Sequence, residues 1–115
     1  MNDNSPLDIV GIGDTVIDSF IKINIGHTEE TAKGTELCLP YGAKVPYESV
    51  TTIPAVGNSA NAMVSASRLG LKTALVTFLG DDENGKQCLE KLEKEKVSTQ
   101  FITQEKEKPT NYHYV

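Results

Sequence analysis

Cysteine is scarce in this chain: its 115 residues carry two, Cys38 and Cys88, fifty positions apart. With no second pair and no metal-ligand spacing, they exclude a disulfide framework and give no sign of a zinc site, so both read as free thiols. The two histidines, His27 and His113, are isolated. Neither has a Cys or His at ligand spacing, so both read as surface or strand residues and no metal is expected. Basic charge is short too. Sixteen acidic residues against eleven basic ones give a net charge of −5, which disfavours the broad cationic surface that grips phosphate backbones, so no nucleic acid is expected as partner. Lys22, Lys33, Lys44 and Lys72 are scattered, and the Lys/Glu run from Lys86 to Lys96 mixes both signs like a solvated helix face. No apolar run is long enough to span a bilayer. Met1 to Pro6 is polar and lacks the basic and apolar regions of a signal peptide. A cytoplasmic location with no membrane partner is the expectation, and no internal repeat is evident.

What is present has an α/β rhythm. Leu7 to Gly13 is a near-continuous apolar run and predicts a strand buried on both faces of a parallel sheet. Ile17 to Ile25 alternates and is expected to lead out of that sheet. From Gly26 to Pro54, Gly and Pro punctuate short β-prone pieces, including Leu37 to Leu39 and Val50 to Ile53. Ser59 to Leu69 predicts a helix with Ala62, Met63, Ala66 and Leu69 at helical spacing and Gly70 as its stop. Thr73 to Leu79 reads as a buried strand. Glu83 to Lys96 predicts a second helix with Gly85, Cys88, Leu89 and Leu92 inward and a Glu90–Lys94 pair outside. Asp81 and Asp82 stand at its start, where carboxylates complement the helix dipole; a structural role is the main reading and a magnesium role the alternative. Val97 to Ile102 predicts a short strand, Gln104 to Pro109 a charged turn and Thr110 to Val115 a last strand. Strands alternating with helices predict right-handed crossovers and a mainly parallel sheet.

The segment Val56-Gly57-Asn58-Ser59-Ala60-Asn61 holds the chemistry. Gly57 can take positive φ or let a ligand approach the backbone, Asn58 and Ser59 can cap the helix, and Asn61 in its first turn can bond a hydroxyl-rich ligand. The same residues also suit a plain turn with Asn58 as a cap, and both readings stand. Gly11-Ile12-Gly13 lacks the third glycine of a dinucleotide fingerprint and no helical pattern follows it, so a nucleotide turn there is not expected.

From Gly57 to Gly85 the chain resembles the first signature region of the PfkB, or ribokinase-like, family of ATP-dependent sugar and nucleoside kinases. Gly57, Asn61, Leu69-Gly70, Gly80, Asp82 and Gly85 carry the likeness, with departures at Val56, Ser59 and Met63. Gly13-Asp14-Thr15-Val16-Ile17-Asp18 resembles the family's first strand, whose aspartate holds sugar hydroxyls. An ionised carboxylate accepts bidentate bonds from vicinal hydroxyls, and such charge-assisted bonds are about twice as strong as neutral ones. The alternative for Asp18 is a surface carboxylate past a strand. Gly11 to Asp14 also mimics the Gly-Ala-Gly-Asp of the family's catalytic base, but extended residues follow it, so Asp14 is not expected to be the base.

The resemblance implies a ribokinase-like α/β fold, a mainly parallel sheet flanked by helices, with a small β-lid within 20–56. Residues 1–115 would be the N-terminal part of such a kinase domain. It also implies ATP with Mg2+ as cofactors, a sugar or nucleoside acceptor held by Asp18, Gly57, Asn58 and Asn61, and a homodimer through the lid. Family members run to two or three times this length, so a truncated chain without its catalytic residues, inactive alone, is expected. A non-catalytic sugar-binding or dimerisation module is the rival from another class.

Overall fold

A computed structural model describes residues 5–115; the polar start at 1–4 lies outside the described residues. The chain runs β1 (Ile9–Ile12), β2 (Val16–Ile23), β3 (His27–Thr31), β4 (Gly34–Cys38), β5 (Tyr47–Val56), α1 (Asn58–Arg68), β6 (Thr73–Gly80), α2 (Glu83–Lys94), β7 (Val97–Ser98), β8 (Ile102–Glu105) and β9 (Tyr112–Tyr114).

The first sheet is parallel. β6 lies at its centre, paired with β1 on one edge, with β7 at its start (Thr73, Ala74) and with β8 along its end (Thr77 to Gly80). The single strand expected over 97–102 is thus two short ones, because a turn in which the Ile102 amide bonds the Thr99 carbonyl interrupts it. β6 is buried along most of its length, as its unbroken apolar and β-branched sequence requires. β1 is not: Ile12 is 76% exposed. Its apolar sequence suits a strand covered on both faces, but β6 is its single strand partner among the described residues.

The second sheet has the order β5-β2-β9, with β2 antiparallel to β5 and parallel to β9. β2 therefore leaves the parallel sheet, as its alternation predicts. β5 is longer than the short piece expected at Val50 to Ile53, and Pro54 and Ala55 fall in a bulge where the register with β2 shifts. β3 and β4 form a separate two-stranded hairpin from His27↔Cys38 to Thr31↔Gly34.

One apolar cluster unites the two larger sheets with both helices: Ile17 and Ala55 from the small sheet, Ala60 and Met63 from α1, Leu75 and Leu79 from β6, Cys88 and Leu92 from α2, and Val97. In α1 the buried positions are Ala60 and Met63, not the expected stripe ending at Leu69, which is 81% exposed. The helix stops at Leu69, and Gly70 follows at φ +96°, the left-handed position that favours glycine. In α2 the inward residues are as expected. Its outer ion pairs are Lys86–Glu90 and Lys91–Glu95 rather than Glu90–Lys94.

Candidate functional site

The junction between the two sheets is built from glycines and one hydroxyl. Gly57 occupies the N-cap of α1 at φ +132°, and a Cβ there would stand 2.5 Å from the Asp14 carbonyl oxygen. Only glycine fits that backbone against that neighbour. The Ser59 hydroxyl donates to the Ile12 carbonyl at 2.7 Å, and a Cβ on Gly13 would collide with it. The sequence expectation of an Asn58 or Ser59 cap is therefore corrected. Asn58 is already the first helical residue, Ser59 bonds to β1, and no side chain caps α1. The close approach of loop 13–15 leaves no room for a longer N-cap side chain at position 57.

Asn58 and Asn61 lie three residues apart on α1, hence on one face, and both are exposed. Their side chains remain open to solvent there. Asn61 borders a cavity of about 430 Å³ with Ile53, Val64, Arg68 and Lys91 among its walls.

Asp18 sits on β2, two residues or about 7 Å beyond Val16, and Val16 pairs with Val56, the neighbour of Gly57. Its register partners are Ile53 on β5 and His113 on β9. His113 Nδ1 lies 3.3 Å from Asp18 Oδ1, an ion pair whenever the imidazole is protonated. That oxygen is enclosed and accepts no hydrogen bond. The opposite face of the same strands is already satisfied. Ser19 and Thr52 share a hydrogen bond at 3.0 Å, and hydrogen bonds with both hold the Tyr112 phenol below its ordinary pKa. Among the described residues Asp18 Oδ1 is thus the enclosed side-chain oxygen of this small sheet that accepts no hydrogen bond, on the face it shares with His113.

A second cavity, about 520 Å³, opens at the carboxyl ends of β1, β6 and β8, where open α/β sheets hold ligands. Asp14, Thr15, Thr77 and Asn111 are among its walls, and the Thr15 and Thr77 hydroxyls are buried without hydrogen-bond partners. Asp18 lines neither of these cavities, and Asn61 lines the smaller one alone, so the two residues share no cavity wall. The structure links Gly57 closely to loop 13–15 and, through β2, to Asp18; Asn58 and Asn61 stand on the helix beyond.

The Gly80 to Gly85 segment is a structural clasp. Asp82 is the N-cap of α2. Its Oδ1 accepts from the Gly85 amide at 2.8 Å and the Thr110 hydroxyl at 2.7 Å, and its Oδ2 accepts from the Thr110 amide at 2.9 Å. Desolvation pushes the Asp82 pKa up, but bonds from Thr110 and Gly85 outweigh it and leave the carboxyl below its ordinary value. Both glycines are required by contact: a Cβ on Gly85 would lie 2.1 Å from the Gly80 carbonyl oxygen, and one on Gly80 2.3 Å from that of Lys108. Asp82 therefore has the structural role expected of it. Sequence reasoning missed Thr110 and His113, which lie far from their partners in sequence. Strand alternation at 110–115 placed them on a strand without revealing which strand it would join.

The model for the pfkB family carbohydrate kinases matches residues 23–115, which leaves Asp18 and the first strand outside the match. A ribokinase of Dictyostelium discoideum is 31% identical over 96 residues, 83% of this chain and 26% of that protein. Among solved structures, a fructokinase of Halothermothrix orenii aligns at TM-score 0.68 and 29% identity, covering 94% of this chain and 33% of that one. A ribokinase of Arabidopsis thaliana solved with ribose and ATP shares the fold at TM-score 0.78 and 20% identity, covering 96% and 32%. The chain thus spans about a quarter to a third of the length of these relatives. A parallel sheet, a small second sheet and a glycine-built junction between them meet a family match over most of the chain, and this chain belongs to the pfkB carbohydrate kinase family.

Proposed function

We propose that this chain forms the acceptor-binding part of an ATP-dependent kinase that phosphorylates a sugar hydroxyl. The observation that carries the reading is the enclosed Oδ1 of Asp18, which accepts no hydrogen bond, beside His113 and two residues along β2 from the Val16–Val56 pair at the Gly57 junction. A buried carboxylate oxygen without a donor is ready to accept from a ligand, and vicinal hydroxyls supply paired donors. In this reading Asp18 holds the acceptor's hydroxyls. Gly57 seats loop 13–15 against the start of α1 beside the acceptor, and Asn58 and Asn61 bond the acceptor's far edge as the small sheet closes on α1. Orientation of this sort contributes several kcal/mol to phosphoryl transfer, up to about 7–11 in ideal cases.

The residues 20–56 act as a lid in this proposal, and Leu37, Leu39, Tyr41 and Tyr47, all exposed, support a contact with a second copy there. Closure would keep water from competing with the sugar hydroxyl.

The nucleotide is assigned to residues outside this chain. Neither helix start among the described residues is free to cradle a triphosphate: α2 begins with Asp82 already occupied, and α1 begins against the Asp14 carbonyl. ATP with Mg2+ would supply the phosphoryl group and neutralise its charge. A cytoplasmic location goes with the reading.

An ATP-consumption screen of the full-length protein against sugars and nucleosides tests it. Turnover with a sugar is the expected result. Turnover with nucleosides alone would move the acceptor class, and consumption with neither would leave a binding module.

A further inference from the structure

We propose that the β3–β4 hairpin is a divalent transition-metal site, with His27, Glu29 and Cys38 as protein ligands. The hairpin register sets His27 directly opposite Cys38, although eleven positions separate them in sequence, and strand alternation puts Glu29 on the same face as His27. The imidazole, carboxylate and thiol ligand atoms all lie within 4.8 Å of one another, and His27 Nε2 is 2.9 Å from Glu29 Oε1. Zinc bonds of about 2.0–2.3 Å put tetrahedral ligand atoms about 3.5 Å apart, so rotamer shifts of about 1 Å would close this set on one ion. The metal would take the place of the hydrogen bond between His27 and Glu29.

Two further observations point the same way. Glu29 faces Glu36 directly across the ladder, and like charges so placed are destabilising. Among the described residues Glu36 has no cationic partner, so a divalent ion would offset a charge conflict built into this face. Among the described residues the hairpin also stands alone: β3 is exposed throughout, Cys38 is the one half-buried residue of β4, and neither strand joins another sheet. A lone two-stranded hairpin is at best marginally stable in water, which a cross-strand metal would remedy. A thiolate with imidazole and carboxylate selects a zinc-like ion over magnesium or calcium. Three protein ligands leave the fourth position to water.

The test is titration of the untagged full-length protein with Co2+ and then Zn2+, under a non-thiol reductant. The expected result is one equivalent of Co2+, a thiolate-to-cobalt charge-transfer band, displacement by Zn2+ and slower amide exchange in residues 27–38. Cys38→Ser should abolish the band, and Glu29→Gln should weaken Zn2+ binding by at least the ~10-fold that losing even an outer partner costs. These are surface changes, so unchanged far-UV circular dichroism checks that both variants fold. No charge-transfer band, a band that survives Cys38→Ser, or undiminished Zn2+ affinity in Glu29→Gln would overturn the site.

Discussion

A carboxylate oxygen shut away from water without a donor costs about 1–3 kcal/mol or more, because a hydrogen bond to solvent is lost and none replaces it. On β2 Asp18 Oδ1 makes no hydrogen bond and has the His113 imidazole 3.3 Å away, whereas Ser19 next to it, on the other face, is paired. A ligand hydroxyl would recover the loss. Asp18→Asn keeps the shape but exchanges a charge-assisted bond for a neutral one, a difference of about 1–2 kcal/mol or roughly tenfold. In the full-length kinase the acceptor KM is expected to rise about tenfold or more with a smaller change in kcat, as for lost uniform binding. Steady-state kinetics with the acceptor varied would check it, and unchanged KM and kcat would remove Asp18 from the site. Asp18 is singled out in the sequence by the resemblance of Gly13 to Asp18 to the family's first strand. His113 beside it was not legible, since β9 reaches β2 from ninety-five positions away.

The two helices are tied at their ends by one side chain. Glu95, the C-cap of α2, accepts from Arg68 at 2.6 and 2.8 Å and from Lys91 at 2.8 Å, while its backbone carbonyl accepts the Ser67 hydroxyl at 2.7 Å. The Arg68 hydrogen bonds, then those of Lys91, hold the Glu95 carboxyl down at about 2 against an ordinary 4.5. A carboxyl depressed in the folded state stabilises fully above its unfolded pKa, and that stability is lost as pH falls through the folded value. The protein should therefore lose stability between about pH 4.5 and pH 2 through this group. Glu95→Gln is expected to be less stable at neutral pH and to show a flatter acid limb over that window. Urea midpoints measured against pH would check it, and an acid limb as steep as that of the parent would refute the role. Elements of this kind were readable where local pattern decides: both helices, β6 and the stop at Gly70. The bonds between them were not, because Lys/Glu runs allow several pairings and packing chose Lys91 and Arg68 over the Glu90–Lys94 pair.

The whole molecule is extended. Its radius of gyration is 17.7 Å and its extents are 55 × 30 × 27 Å, against about 13 Å for the radius of a compact chain near this size. The β3–β4 hairpin contributes no residue to the apolar cluster, so the parallel sheet should not depend on it. Replacing 25–46 in the full-length protein by a short Gly/Ser turn is expected to leave the melting temperature within about 4 °C, as for changes confined to the surface. Acceptor KM should rise if the segment is a lid. Calorimetry and kinetics check the two halves separately, and a large fall in melting temperature would mean that the hairpin supports the core. The α/β architecture was visible in the chain's alternation of strands and helices. The exposure of β1 was not, because an apolar run records what a strand suits rather than which neighbours it has.

The polypeptide passes between the small and large sheets at three places, and each is fastened: Gly13 under Ser59, Gly57 against Asp14, and Thr110 in the grip of Asp82. Rocking of the one layer over the other has to swivel on these three rivets. Because β9 begins just past the third, any tilt would carry the imidazole of His113 and the carboxylate of Asp18 together, as one jaw.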